Sequence, residues 1–392
     1  MKESRNRKRA RIQKWIARGS LIAGFCWGIF FMYDSVRNAI PDKIWIEEGK
    51  EEVFDFHLPI VGEVDSSGLE VFGNQSPKVE EDKIRLDLNE SFSLKSQEQG
   101  SYSITCRLFG LIHIKEVAVE VVQEEQLAPC GIPIGIYVKT DGVLIIGTGT
   151  VTGMDGMNYE PAEHLVKSGD YVKTVNEQII ESKEDLIESI NQCQGESVVL
   201  GILRGEEYIH LKLQPVQTSE EEYKLGIWVR DDLAGVGTLT FFDEEGNYGA
   251  LGHPVSDLDT GAKVSMGEGT LYQAEVTGIT RGEKGNPGEI SGVITYLDQY
   301  RLGSVEENTN VGIYGNLEKI PEEAAQAGYY PVGLKQEIQE GEATIISTVS
   351  GERKEYSITI TDLDYNSENK GILFQVTDSE LLNLTGGIVQ GM

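Results

Sequence analysis

Alternation of apolar and polar residues, not helical spacing, organises most of this chain. "VFDFHLPIVGEV" (53–64) and "RLDLNESFSLKSQEQGSYSITCRLFGLIHIKEVAVEVV" (85–122) carry period-two stretches broken by turn residues, the signature of a small antiparallel unit. The "DSSGLEVFGNQSPKVEEDK" between them reads as a polar loop. Short strands resume at "LAPCGIPIGIYVKTDGVLIIGTGTVTG" and lead into the "GDYVKTVNEQII" hairpin. Helical period then appears over Lys183–Cys193, with Leu186, Ile187 and Ile190 on an apolar face and Ser182 as N-cap three residues before Asp185. A pair of strands returns, and "VQTSEEEYK" reads as an acidic linker. Beyond it, strand patches at 225–229, 236–242, 271–279, 311–315, 343–349 and 354–363 run without an intervening helix. That half is expected to be a β-barrel or sandwich, and the missing helices exclude Rossmann and TIM-barrel arrangements.

The pattern is different in the first 33 residues. Eight Lys or Arg against one Glu fill residues 1–18, and "GSLIAGFCWGIFFMY" follows. Counted from Trp15 to Tyr33, the segment approaches the roughly twenty residues a membrane span requires, with Arg18 able to snorkel. The basic flank predicts a cytoplasmic N-terminus and an acidic body across the membrane; a signal peptide would share these features. A formal net charge of -30 on 392 residues excludes a protein that wraps nucleic acid, which needs a basic surface. Outside the apolar run, which holds Cys26, there remain Cys106, Cys130 and Cys193, an odd set without zinc-type spacing. No metal and no cofactor are expected, and three buried thiols are favoured over a disulfide.

Over residues 119–216 the order strand, hairpin, helix, paired strands resembles a PDZ domain, in which an extended peptide joins a sheet edge beside a helix. Gly131, Ile132, Pro133, Ile134 and Gly135 are then the candidate peptide-binding loop, with Pro133 removing one donor. The expected ligands are peptides, including the chain's own segments. Gly169 and Asp170 read as a turn. Of five histidines, His57, His113, His164 and His210 read as structural. His253, in "YGALGHPVSD", is either a turn histidine or a general base; a base needs a nucleophile on one nitrogen and a carboxylate on the other. Asp243, Asp257 and Asp259 are near in sequence and Asp378 is distant.

The basic tail and apolar run, the PDZ-like order, "TFFDEEGNYGALGHPVSD" and the closing "GILFQVTDSELLNLTGGIVQGM" together resemble the SpoIVB peptidase family. The resemblance implies a serine endopeptidase with a chymotrypsin-like double barrel. It would be bound by its N-terminal segment to the forespore inner membrane and face the space between the two membranes of an endospore. There it would cleave itself and a regulatory membrane protein, so triggering processing of the late mother-cell sigma factor. Position by position, His253 matches the catalytic base and Asp378 the orienting acid, while the family's nucleophile is a serine directly after the residue matching Met392. That serine is absent from this sequence, so the chain as given is expected to be inactive. Ser291 in "GEISG" is the best internal alternative but lacks the full G-x-S-x-G pattern; Ser256 and Ser265 are weaker. The expected architecture is multidomain and mainly β: 1–43 tail and transmembrane helix, 44–118 small β unit, 119–216 PDZ-like α+β domain, 217–392 incomplete peptidase barrel. The rival reading is an anchored PDZ scaffold whose β domain is not catalytic.

Overall fold

In the computed structural model the chain is described at residues 15, 19, 24 and 27–392, apart from 66–67, 74–82, 326, 368–370 and 391. Strands dominate, and two compact units are present. One comprises residues up to Glu125 together with 331–341 and 360–374; the other comprises 126–330, 342–359 and 375–392.

In the first unit, the alternating stretches become a five-stranded sheet, ordered Lys43–Glu47, Ile112–Val122, Gly100–Leu108, Ile60–Asp65, Lys83–Asp87, and a three-stranded sheet, ordered Glu51–Phe54, Phe92–Ser96, Leu69–Gly73. Their inward positions, among them Ile44, Ile46, Ile60, Leu94, Ile104 and Val119, form one apolar core. Leu69–Gly73 pairs with Phe92–Ser96, so part of the expected polar loop is a strand. The expected membrane span falls largely outside the described residues. What is described is a helical stretch over 27–39, whose end buries Val36 in the same core. Among the described residues no helix is long and apolar enough to cross a membrane, and the expected transmembrane helix is to that extent unsupported.

In the second unit, strand Gln126–Thr148 pairs antiparallel with Ile227–Phe242 along nearly its whole length. Ile227–Phe242 continues to Asn247–Ala250, Gly312–Leu317, Arg301–Thr309 and Met266–Thr280, and the last returns to Gln126–Thr148. Six antiparallel strands thus close into a barrel, with Glu289–Ile294 added outside on Met266–Thr280. Its interior takes alternate residues of the long strand, including Cys130, Ile132, Ile134, Ile136 and Val138. A second closed ring of strands, which a double barrel requires, is not present among the described residues.

The far ends of the same two long strands build a different lobe. Val143 and Ile145 join Val172, Leu186, Ile190, Leu200, Ile202 and Leu225 in a separate core. Tyr171–Val175 pairs with both Gln126–Thr148 and Val198–Arg204, and Val198–Arg204 pairs with Glu207–Leu213. Helix Lys183–Gln192 packs here. The expected capping box is present: the Ser182 side chain accepts from the Asp185 amide while the Asp185 carboxylate accepts from the Ser182 amide, a cap stabilising by about 1 kcal/mol. Leu186 and Ile190 are buried, but Ile187 is exposed. The boundary expected at residue 119 moves accordingly: 119–122 ends a strand of the first unit, and residues 128–138 line the barrel, not the PDZ-like lobe.

Cys106, Cys130 and Cys193 are free thiols. Burial pushes the Cys106 thiol up to about 11 and the Cys130 thiol up to about 12, each only partly offset by a nearby cation. Both are thereby far from the thiolate form that nucleophilic chemistry requires.

Candidate active site and peptide groove

His253 follows the short strand Asn247–Ala250, which is held between Ile227–Phe242 and Gly312–Leu317. The bend that delivers it has two successive residues at positive φ, Leu251 at 75° and Gly252 at 99°. A branched residue there is strained; the Leu251 side chain is held over Gly237 and near Ile136. The imidazole is exposed, and its Nδ1 lies 3.0 Å from the Pro254 carbonyl oxygen.

The loop after His253 is pinned at both ends. Asn308 accepts the Val255 amide at 2.9 Å and donates to the Val255 and Val264 carbonyls at 2.9 and 3.0 Å. Asp257 is 1% exposed. Its carboxylate accepts the Asp259 and Thr260 amides and pairs with Arg230, whose other arm reaches Asp259 at 2.8 Å. Burial would raise the Asp257 carboxyl, but the Thr260 amide and the Arg230 guanidinium outweigh it and hold the group below the usual carboxylate range. Asp243 is occupied by Asn247. None of the three acids near in sequence therefore bonds to the histidine among the described residues.

Asp378 is the N-cap of helix Ser379–Thr385. Its Oδ1 accepts the Glu380 and Leu381 amides at 2.9 and 3.0 Å, and Oδ2 accepts no hydrogen bond among the described residues. His253 and Asp378 share no hydrogen bond or ion pair among those residues. After Gly386, left-handed at φ 75°, the C-terminal segment docks on the 282–290 region. The Thr385 carbonyl accepts from Gly282, Gln390 donates to Gly288, and Ile290 donates back to Gln390, all at 2.8–2.9 Å. Ser291, the residue after Ile290, is exposed in strand Glu289–Ile294 opposite Gly278.

The expected peptide-binding loop is corrected. Gly131–Gly135 lies inside the long strand, with Ile132–Gly135 paired with 236–239 on one side. Ile134 and Gly135 also pair with Gln273 and Tyr272 on the other, and Thr348 donates to the Gly131 carbonyl at 2.9 Å. One edge is thus paired over Ile132–Gly135 and the other is largely taken, which leaves no continuous run of strand edge for a peptide. Gly131 sits at φ 68° with the Ile346 carbonyl pressed where a Cβ would be. Gly131→Ala should therefore lower stability by about 2–4 kcal/mol, since strain and overpacking each cost about 1–3 kcal/mol; urea denaturation would read it, and a change under 0.5 kcal/mol would contradict it.

Elsewhere in the PDZ-like lobe a strand edge lies open beside a helix, beginning at residues expected to be a linker. Tyr223–Lys224 pairs with Val216–Gln217, Leu225 is buried, Gly226 is left-handed at φ 66°, and Ile227 begins the long strand. Helix Lys183–Gln192 runs beside this strand in the opposite sense. The Asn191 side chain accepts the Tyr223 amide at 2.9 Å, and at the other end Asp231 accepts from the Lys183 amide and ammonium at 2.9 and 3.0 Å. The edge of 227–234 turned away from Gln126–Thr148 pairs with no strand among the described residues. Ile187, between the two anchored helix positions, is exposed with Glu184 and Glu188 beside a shallow depression of about 520 Å³. The Leu225 and Gly226 amides donate to no protein acceptor among the described residues. An open strand edge, a helix alongside and free amides at a left-handed glycine are the parts that strand addition and carboxylate capture use. The signal in the sequence was Lys224-Leu225-Gly226-Ile227, a glycine between apolar residues just ahead of a strand.

Residues 221–392 match the family model of the SpoIVB peptidase S55. Among solved structures, the chain is similar to the PDZ domain of an SdrC-like protein from Listeria monocytogenes, at 18% identity and a TM-score of 0.19, over 24% of this chain and 90% of that one. No curated protein matches the chain.

Proposed function

Because residues 221–392 match the SpoIVB peptidase family, we propose that this protein is a serine endopeptidase with His253 as general base and Asp378 as the acid that orients it. The observation that carries the reading is His253 itself: exposed, on a strained bend at a barrel end, and followed by a loop pinned at both ends. In acylation the imidazole takes the proton of the serine hydroxyl and returns it to the leaving amine. Asp378 spends Oδ1 on its helix cap, and its second oxygen is the atom suited to the His253 Nδ1–H. No His253–Asp378 hydrogen bond is present among the described residues, so catalysis by this pair requires the two groups to come together in the loaded enzyme. The resemblance puts the nucleophile directly after Met392, on the segment docked against 282–290. The setting in a developing endospore, self-cleavage, and a regulatory membrane protein as substrate belong to the same proposal.

The groove beside Lys183–Gln192 supplies the second element: it takes the free C-terminus of a peptide, its carboxylate on the Leu225 and Gly226 amides. Glu184, Glu188 and Asp185 on the helix favour basic residues upstream in the ligand. This replaces the assignment of the ligand to Gly131–Gly135. The test is labelling with a fluorophosphonate, a serine-directed reagent, of this chain and of one extended past Met392 with the family's serine-bearing segment. Labelling confined to the extended chain supports the reading; equal labelling of both would move the nucleophile to Ser291 or another internal serine.

A further inference from the structure

Adjacent residues of one strand face opposite ways and hold two different things. Ile227 and Val229 pack on the core of the PDZ-like lobe, and Asp231 holds the N-terminus of the groove helix through Lys183. Arg230, between Val229 and Asp231, turns to the other face and divides its two arms between Asp257 and Asp259, four and six residues after His253. We propose that Arg230 is a positioning residue for His253: its fork fixes the tip of the loop that the histidine opens, and it does so from the strand that edges the peptide groove. This rests on His253 being the catalytic base.

Three features support a positioning role over a simple structural tie. The loop is already attached without Arg230, by Asn308 near its start and end, by the Tyr171 hydroxyl, which accepts the Ser265 amide at 3.0 Å, and by the Asp141 amide, which donates to the Ser265 carbonyl. What Arg230 adds is order at the tip. The buried Asp257 there has its other oxygen filled by the Asp259 and Thr260 amides, and its backbone carbonyl accepts from Gly261. An arginine is also the side chain suited to this arrangement, since its planar fork can serve two carboxylates at once and an ammonium cannot hold both in fixed directions. Finally, a peptide adding to the free edge of 227–231 would extend the ladder on the residue whose side chain grips the loop, so groove and histidine share one short piece of backbone.

The experiment is hydrogen exchange of the 392-residue chain, read over 256–262, for Arg230→Gln, Arg230→Lys and Asp231→Asn, with cleavage kinetics of the same changes in the serine-bearing form. Arg230→Gln should speed exchange over 256–262 at least tenfold and lower kcat about tenfold with KM within twofold; Arg230→Lys should recover part of each. Asp231→Asn, which faces the helix, should leave the loop unchanged. Should Arg230→Gln not fold, Asp259→Asn, at the more exposed arm, should still speed exchange about threefold. Unchanged exchange in the arginine variants, or faster exchange with unchanged kcat while His253→Ala abolishes cleavage, would overturn the positioning role and leave the catalytic reading standing. Full cleavage by His253→Ala would instead remove the base on which the role depends.

Discussion

His253→Ala, made in the serine-bearing form, is expected to cut kcat about 10⁴-fold or more while leaving stability within about 0.5 kcal/mol. Loss of a triad base removes nearly all covalent catalysis, and only the oxyanion and binding contributions persist. The stability half follows from exposure: the ring is solvent-facing and, among the described residues, its hydrogen-bond partner is the adjacent Pro254 carbonyl, so little packing is lost. Asp378→Asn separates two roles. The amide oxygen can still cap helix Ser379–Thr385 in place of Oδ1, so the fold should hold while kcat falls by a similar order, because an amide cannot stabilise the imidazolium. Single-turnover kinetics with a thermal melt on each variant would decide. A His253→Ala enzyme retaining a tenth of wild-type kcat would exclude the histidine as base.

Asp170→Ala is expected to destabilise the second unit by about 3–5 kcal/mol, the usual cost of removing one partner of a buried pair. Asp170 is 1% exposed and accepts both arms of Arg204, Nε at 2.8 Å and Nη2 at 2.7 Å, together with the Lys167 amide at 2.8 Å. The change strands a half-buried guanidinium and a backbone donor. Arg204 is itself held charged, its value raised chiefly by the bond to Asp170. Replacing both residues, as Asp170→Leu with Arg204→Met, should recover much of the loss, since a paired apolar substitution removes the uncompensated charge. A urea midpoint shift equivalent to less than 1 kcal/mol for Asp170→Ala would count against this account.

Local signals in the sequence were legible where one residue type has one structural use. Ser182 and Asp185 cap their helix, Gly169–Asp170 forms the turn, and the strand patches after residue 225 all lie in strands or at their ends. The reading failed where one signal serves two geometries. Short strands were expected over 127–153; in the structure Gln126–Thr148 is a single strand, in which Gly142 is at φ 85° and the register shifts opposite 230–232. A hairpin turn and a bulge both call for a glycine at positive φ, so the sequence alone could not separate them. That ambiguity also misplaced the peptide loop, since the glycines of "CGIPIGI" make room for the Ile346 backbone and the Ile294 side chain, not for a ligand. Tyr223–Lys224 was missed because three glutamates before it gave the look of a linker, while Leu225, inside the expected strand patch, is buried in a core shared with the Lys183–Gln192 helix.

The pairing of Gln126–Thr148 with Ile227–Phe242 also sets an order of events during synthesis. The first strand leaves the ribosome long before its partner, and the 149–226 segment lies between them. Closing so long a connection as free coil costs entropy that grows with its length, though slowly. Collapse of the PDZ-like lobe shortens it, because Thr148 and Ile227 end as direct partners. Zipping can then proceed from that end toward the Ala128–Phe242 pair, so a lesion that only slows folding of the lobe should delay appearance of the barrel as well. Until Phe242 has been made, the unpaired "CGIPIGI" strand is the segment of the nascent chain most in need of shelter from aggregation.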